Sequence, residues 1–144
     1  MRALLGIVVV LLLAACGDSS PGRAPATPTS QPDTGYVASE QLVTQTAGGG
    51  HVERTATPLP DDAAVDAFTR GLERGFATKI RDAVDATAIE AGQQIYGQVV
   101  AVGCDVPPGI TVVLDPVAVR PEPVSSPKRE CFAPVTTVAV VVVS

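Results

Sequence analysis

Apolar residues recur at helical spacing between positions 61 and 85. They are separated by three or four residues, the period of one helix face, and are Val65, Phe68, Leu72, Phe76, Ile80 and Val84. Asp61 stands where an N-cap is expected, and Asp61-Asp62 suit the positive end of a helix. The pattern predicts one amphipathic helix of about 24 residues. The interior glycines Gly71 and Gly75 weaken it by about 1 kcal/mol each.

Short runs of β-branched residues predict strands on either side of this helix. Residues 94–102 form one such run, and residues 110–120 form one strand interrupted at Asp115-Pro116, or two. Two further runs, at 36–44 and 52–56, flank Gly48-Gly49-Gly50 and predict a hairpin.

The last run, residues 135–143, is apolar at both alternating sets of positions. It is therefore expected to be a central strand buried on both sides, with the 61–85 helix as its cover. We expect an α+β domain over residues 36–144. It should contain a small, mainly antiparallel sheet of four to six strands covered by one long amphipathic helix.

The N-terminus has the pattern of a secretory signal peptide over residues 1–15. Thirteen uncharged, largely apolar residues run from Ala3 to Ala15. A helix of that length rises about 20 Å, short of the roughly 30 Å hydrocarbon core of a bilayer. An ordinary signal peptide with an incidental Cys, or a buried strand, is the alternative.

Leu13-Ala14-Ala15-Cys16 resembles the lipobox of bacterial lipoproteins. The resemblance implies lipidation of the Cys16 thiol by a diacylglyceryl group and cleavage between Ala15 and Cys16. It implies a cell-membrane protein held by lipid and facing outside the cytoplasm. Two or more acyl chains anchor a protein stably, whereas one holds it marginally.

Residues 16–35 are rich in Pro, Ser, Thr and Gly, and this composition predicts a disordered tether behind the lipidated Cys16. As polyproline II, the tether would reach at most roughly 60 Å. It would hold the domain away from the lipid surface.

The chain contains three cysteines. If Cys16 carries lipid, Cys104 and Cys131 remain as an even pair in an oxidising compartment, where a disulfide is expected. Such a bridge could link neighbouring strands at one end of the sheet. Two unlinked core residues, or one reactive thiol, are the alternatives.

Composition gives little support to nucleic-acid or cofactor chemistry. Removal of Arg2 with the signal peptide leaves nine basic against fifteen acidic residues, and the chain has no Trp, two Tyr and three Phe. An acidic protein with few aromatic residues is poorly suited to binding nucleic acid. No cofactor is predicted, and the single His and the absence of Cys-x-x-Cys spacing make a metal site improbable.

Candidate catalytic residues have ordinary explanations. The triple glycine at 48–50 lacks the spacing of a phosphate-binding loop, and His51 is expected to be a solvent-facing loop residue. No catalytic residue is predicted. We expect a binding or structural module of the cell envelope that presents loops 105–109 and 121–130 to an envelope protein. An envelope hydrolase with a site assembled from distant residues and a protease inhibitor-like module are the alternatives.

Overall fold

A computed structural model describes residues 35–144, so the predicted signal peptide, the lipidated Cys16 and nearly all of the predicted tether lie outside the described residues. The helices are α1 (Asp62–Thr69) and α2 (Arg74–Asp85). The strands are β1 (Val37–Thr46), β2 (Thr57–Pro58), β3 (Gln94–Gly103), β4 (Ile110–Leu114), β5 (Val117–Pro121) and β6 (Val135–Val143).

Four strands form an antiparallel sheet in the order β1-β6-β3-β2, and β4 pairs with β5 in a separate hairpin. The Val-rich strand β6 lies between β1 and β3, and all but its first residue are buried. Its prediction as a central strand is confirmed, as is the mainly antiparallel α+β class. The run at 110–120 is two strands.

Apolar side chains from the two faces of the sheet enter two separate clusters. Val138, Val140 and Val142 of β6 pack with Phe76 and Ile80 on the helix side. The alternate β6 residues pack with β5 on the hairpin side and are Ala139, Val141 and Val143. The helices therefore cover only one face, and the β4–β5 hairpin covers the other.

The prediction of a single long helix over residues 61–85 is wrong. The apolar stripe continues across two helices, but residues 70–73 leave the helical path between them. The Glu73 amide donates to Gly48 O at 2.8 Å, and Leu72 forms an isolated β-bridge with Gly49. Glu73 also accepts a hydrogen bond from the Phe76 amide at 3.1 Å, which caps α2. Asp61 caps α1 as predicted, accepting from the Ala64 amide at 2.8 Å.

The hairpin predicted around residues 36–56 is also wrong. Strand β1 pairs with β6 at the far end of the chain, and the short β2 pairs with β3. Gly49 and Gly50 have φ of +75° and +77°, which glycine adopts without strain. The glycine segment therefore contacts the α1–α2 connection and does not form the turn of a hairpin.

One buried glutamine joins the β4–β5 hairpin to the sheet. Gln98 of β3 is 2% exposed. Its Nε2 donates to Val119 O at 3.0 Å and to Glu53 O at 2.8 Å, while its Oε1 accepts from the Val119 amide at 2.7 Å. A side-chain amide thus supplies the polar partners that a neighbouring strand would otherwise supply.

Candidate interaction site at the disulfide end of the sheet

The disulfide predicted between Cys104 and Cys131 is present, with a Cα–Cα distance of 5.4 Å. Cys104 directly follows β3, and Cys131 lies four residues before β6. Since Gly103 pairs with Val135 in the antiparallel ladder, the bridge lies at the end of the sheet where β3 finishes and β6 starts. It closes the two neighbouring strands at that end, as expected.

The disulfide and one carboxylate hold two loops together. We call residues 104–109 and 122–134 the clamped loops. Asp105 Oδ2 accepts a hydrogen bond from the Lys128 amide at 2.7 Å, and the Lys128 ammonium lies 3.8 Å from Asp105 Oδ1. At the other end of the first loop, the Glu122 amide donates to Gly109 O at 2.9 Å. Three separate links therefore restrain these irregular segments.

Apolar side chains next to the disulfide are open to solvent. Phe132 has a relative exposure of 112%, and Val106 and Val102 are 44% and 37% exposed. Residues Glu130, Cys131 and Phe132 line a shallow depression of about 350 Å³. Phe132 therefore leaves its apolar side chain in water on a cross-linked loop.

The chain enters and leaves the sheet at the opposite end. Val37 of β1 pairs with Val143 of β6, and the Ser144 amide donates to Tyr36 O at 3.1 Å. The nine residues of β6 separate this end from the disulfide end. At about 3.4 Å per residue, that separation is roughly 30 Å.

The other residues singled out from the sequence lie outside the two ranges that form the clamped loops. His51 is exposed in the connection between β1 and β2, as expected for a loop residue. The Asp61 carboxylate caps the N-terminus of α1, and Asp62 lies in the first turn of that helix. Among residues 35–144, no three His, Cys, Asp or Glu side chains are grouped closely enough to hold a metal ion.

The shifted ionisable groups belong to the helices. Hydrogen bonds from the Gly75 and Phe76 amides lower the pKa of Glu73 from its ordinary value. A hydrogen bond to Asp66 raises the pKa of Arg81, and this ion pair joins α2 to α1. Both shifts arise from a helix cap and a surface ion pair.

Sequence reasoning located the disulfide and parts of both clamped loops but missed Phe132 and the contact between Asp105 and Lys128. Phe132 is the one aromatic residue after Tyr96 in the sequence, and its place directly after Cys131 is the signal that could have found it. The bond from Lys128 to Asp105 has no sequence signal, since 23 residues separate the partners.

Comparisons of this chain with protein-family models, with curated proteins and with solved structures found no match. In the part of the chain that the structure describes, no helix is long and apolar enough to cross a membrane.

Proposed function

We propose that this protein is a lipid-anchored extracytoplasmic lipoprotein that binds an envelope protein through its clamped loops. The observation that carries the proposal is Phe132, fully exposed beside the Cys104–Cys131 disulfide. Aromatic side chains are enriched among the residues that dominate binding energy at protein interfaces. The mature protein would begin at Cys16, with the diacylglyceryl group in the membrane.

The restraints on the clamped loops favour binding over a purely structural role. Association costs the freedom of every loop that becomes ordered, and a loop already held by a disulfide loses less. Phe132 lies one residue from that bond, and Lys128 is held at Asp105. Binding through Phe132 should therefore lose less conformational entropy than binding through an unrestrained loop.

The position of the predicted tether agrees with this use. The chain reaches β1 at the end of the sheet roughly 30 Å from the disulfide, by the rise of a β-strand. An anchor on that side leaves the clamped loops unobstructed by the lipid attachment. A tether of up to roughly 60 Å would let them search the space above the membrane.

The anchor is tested with a Cys16→Ala variant of the full chain. We expect the wild-type protein to incorporate a radiolabelled or clickable fatty acid and to sediment with membranes. The variant should lose the label and no longer sediment. Retention of the label by the variant would refute lipidation at this residue.

The binding surface is tested by replacing Phe132 with a photoreactive phenylalanine analogue in intact cells. Thr78, exposed on α2, is the matched control position. We expect adducts of one defined mass from position 132 and none of that mass from position 78. Equal patterns from both positions, or no adduct from position 132, would contradict the proposed surface.

The same loop favours a second candidate, a protease inhibitor-like module. The Lys128 side chain is 70% exposed while its amide is fixed at Asp105, three residues before the disulfide. A restrained basic residue suits the acidic specificity pocket of a trypsin-like protease. Trypsin inhibition that is lost in a Lys128→Ala variant would support this candidate, and rapid cleavage after Lys128 would exclude it.

A further inference from the structure

We propose that β1 pairs edge to edge with β1 of a second copy of this chain, forming a continuous eight-stranded sheet. The proposal rests on the backbone of β1 and on the register that its side chains allow. It is independent of the membrane anchor and of the clamped loops.

Within residues 35–144, strand β1 has one paired side and one open side. It lies at the edge of the sheet and pairs only with β6 among the described strands. It has ten residues, no proline and one charged residue, Glu40. Of the devices that protect an edge strand, β1 lacks short length, proline and lysine, and it has a bulge only at its start and a single charged residue. The opposite edge, β2, has two residues and ends at Pro58.

The ladder shows which backbone groups of β1 are free. The Ala47 amide donates to Pro134 O at 2.8 Å, continuing the register of Thr46 with Val135. Antiparallel backbone groups alternate between the two sides of a strand. The backbone N–H and C=O groups of the odd-numbered residues from 39 to 47 therefore point toward β6. The outward N–H and C=O groups belong to Glu40, Leu42, Thr44 and Thr46.

A bulge occupies the start of the strand but leaves this segment regular. The register with β6 shifts between Val37 and Ser39 and is then unbroken to Thr46. Residues 40–46 therefore offer four outward N–H groups and four outward C=O groups in continuous register. Antiparallel pairing of two such segments satisfies all of them.

A two-fold axis at Val43 makes the segment complementary to itself. In this register Leu42 lies opposite Thr44 of the second copy, and Glu40 lies opposite Thr46. On the helix side, Gln41 lies opposite Gln45, whose Oε1 accepts a hydrogen bond from Lys79 Nζ of its own copy at 2.5 Å, and the two copies of Val43 meet at the axis. No carboxylate opposes a carboxylate, and directly opposed pairs are the units that stabilise a sheet. The segment thus recognises its own sequence.

The register is tested by disulfide cross-linking of the full chain in membranes. Gln41 and Gln45 would form a non-hydrogen-bonded pair across the axis, with a Cα–Cα distance of about 4.5 Å, which a disulfide can span. The double variant Gln41→Cys/Gln45→Cys should give at least tenfold more covalent dimer on mild oxidation than either single variant. The single variants are matched controls, because two copies of position 41 lie four residues apart along the strands.

Charge variants at Thr46 test the same register by a second route, since Thr46 is exposed at the end of β1. Within the double-cysteine background, Thr46→Glu places one new carboxylate opposite the Glu40 of each copy. It should reduce the yield of covalent dimer at least threefold. Thr46→Lys places an ammonium there and should raise it.

Three results would overturn the proposal. They are absence of the dimer from the double variant, dimer yields that ignore charge at position 46, and cross-links from positions 41 and 45 to a different protein.

Discussion

Gln98 provides the sharpest test of how the two faces of the sheet are held together. We consider Gln98→Leu, which keeps the side-chain size and removes its hydrogen bonds. Gln98 joins β3 to the hairpin through the N–H and C=O of Val119, and to the β1–β2 connection through Glu53 O. The substitution withdraws one partner from each of these three backbone groups.

The expected loss follows from burial. Val119 is 3% exposed, so water cannot easily replace the lost amide. Leaving a buried donor or acceptor without a partner costs about 1–3 kcal/mol, and two such groups belong to Val119. Burial of the leucine side chain offsets part of this. We therefore expect the free energy of unfolding to fall by about 2–5 kcal/mol, a large share of the 5–15 kcal/mol typical of a domain.

The assay combines urea unfolding with amide hydrogen exchange. The Val119 amide should be strongly protected in the wild-type protein and should exchange faster in the variant. Gln94→Leu is the matched control, because Gln94 lies on the same strand, is half-buried and has one side-chain hydrogen bond, from the Tyr96 hydroxyl. A loss below about 1 kcal/mol with the Val119 amide still protected would refute the reasoning.

Further substitutions test the helix cap, the core and the disulfide. The lowered pKa of Glu73 means that its ionised form stabilises the folded state. That contribution is complete above pH 4.5 and declines as the pH falls through the lower folded value. Glu73→Gln, which keeps an acceptor oxygen, should therefore flatten the pH dependence of the unfolding midpoint below pH 4.5, and an unchanged dependence would contradict the cap. Gly97→Ala places a Cβ about 2.9 Å from Leu59 and 3.0 Å from Phe68. It should lower the free energy of unfolding by about 1–3 kcal/mol in urea, and a neutral result would show that these side chains move aside freely. Cys104→Ser opens a loop with a sequence separation of 27 and should cost roughly 3.5 kcal/mol, whereas an unchanged midpoint would show no constraint from the bridge.

The local sequence pattern predicted those features that can be recognised without knowing which segments pack against them. The lack of alternation in β6 was sufficient to identify a central strand, because a strand covered on both faces has no polar side. The disulfide followed from counting thiols once Cys16 was assigned to lipid. The position of Cys104 and Cys131 at strand ends then placed the bridge at one end of the sheet.

The predictions of one long helix and of a local hairpin failed because both features depend on contacts between segments that are distant in sequence. The apolar stripe through Phe68, Leu72 and Phe76 keeps its period across the gap between α1 and α2, so periodicity cannot reveal the break. The break depends on contacts with Gly48 and Gly49, which are distant in sequence. The hairpin prediction failed for the same reason, since β1 finds its partner about 100 positions away.

The site shows the same division. The clamped loops were expected from their composition and from the cysteines. The exposure of Phe132 depends on how the second loop leaves the disulfide. Gln98 carries a weak signal in the sequence, since it is a polar residue directly before the apolar run at 99–102. A polar side chain in a buried part of a strand indicates a polar partner nearby, but the identity of Val119 requires the fold.

The proposed lipid anchor is tested by the intact mass of the mature protein isolated from membranes of its own host. We expect a chain that begins at Cys16 and carries a diacylglyceryl group. We also expect no thiol open to alkylation before reduction and two after it. A protein that begins upstream of Cys16, or a Cys16 with a free thiol, would contradict the anchored lipoprotein on which the proposed function depends.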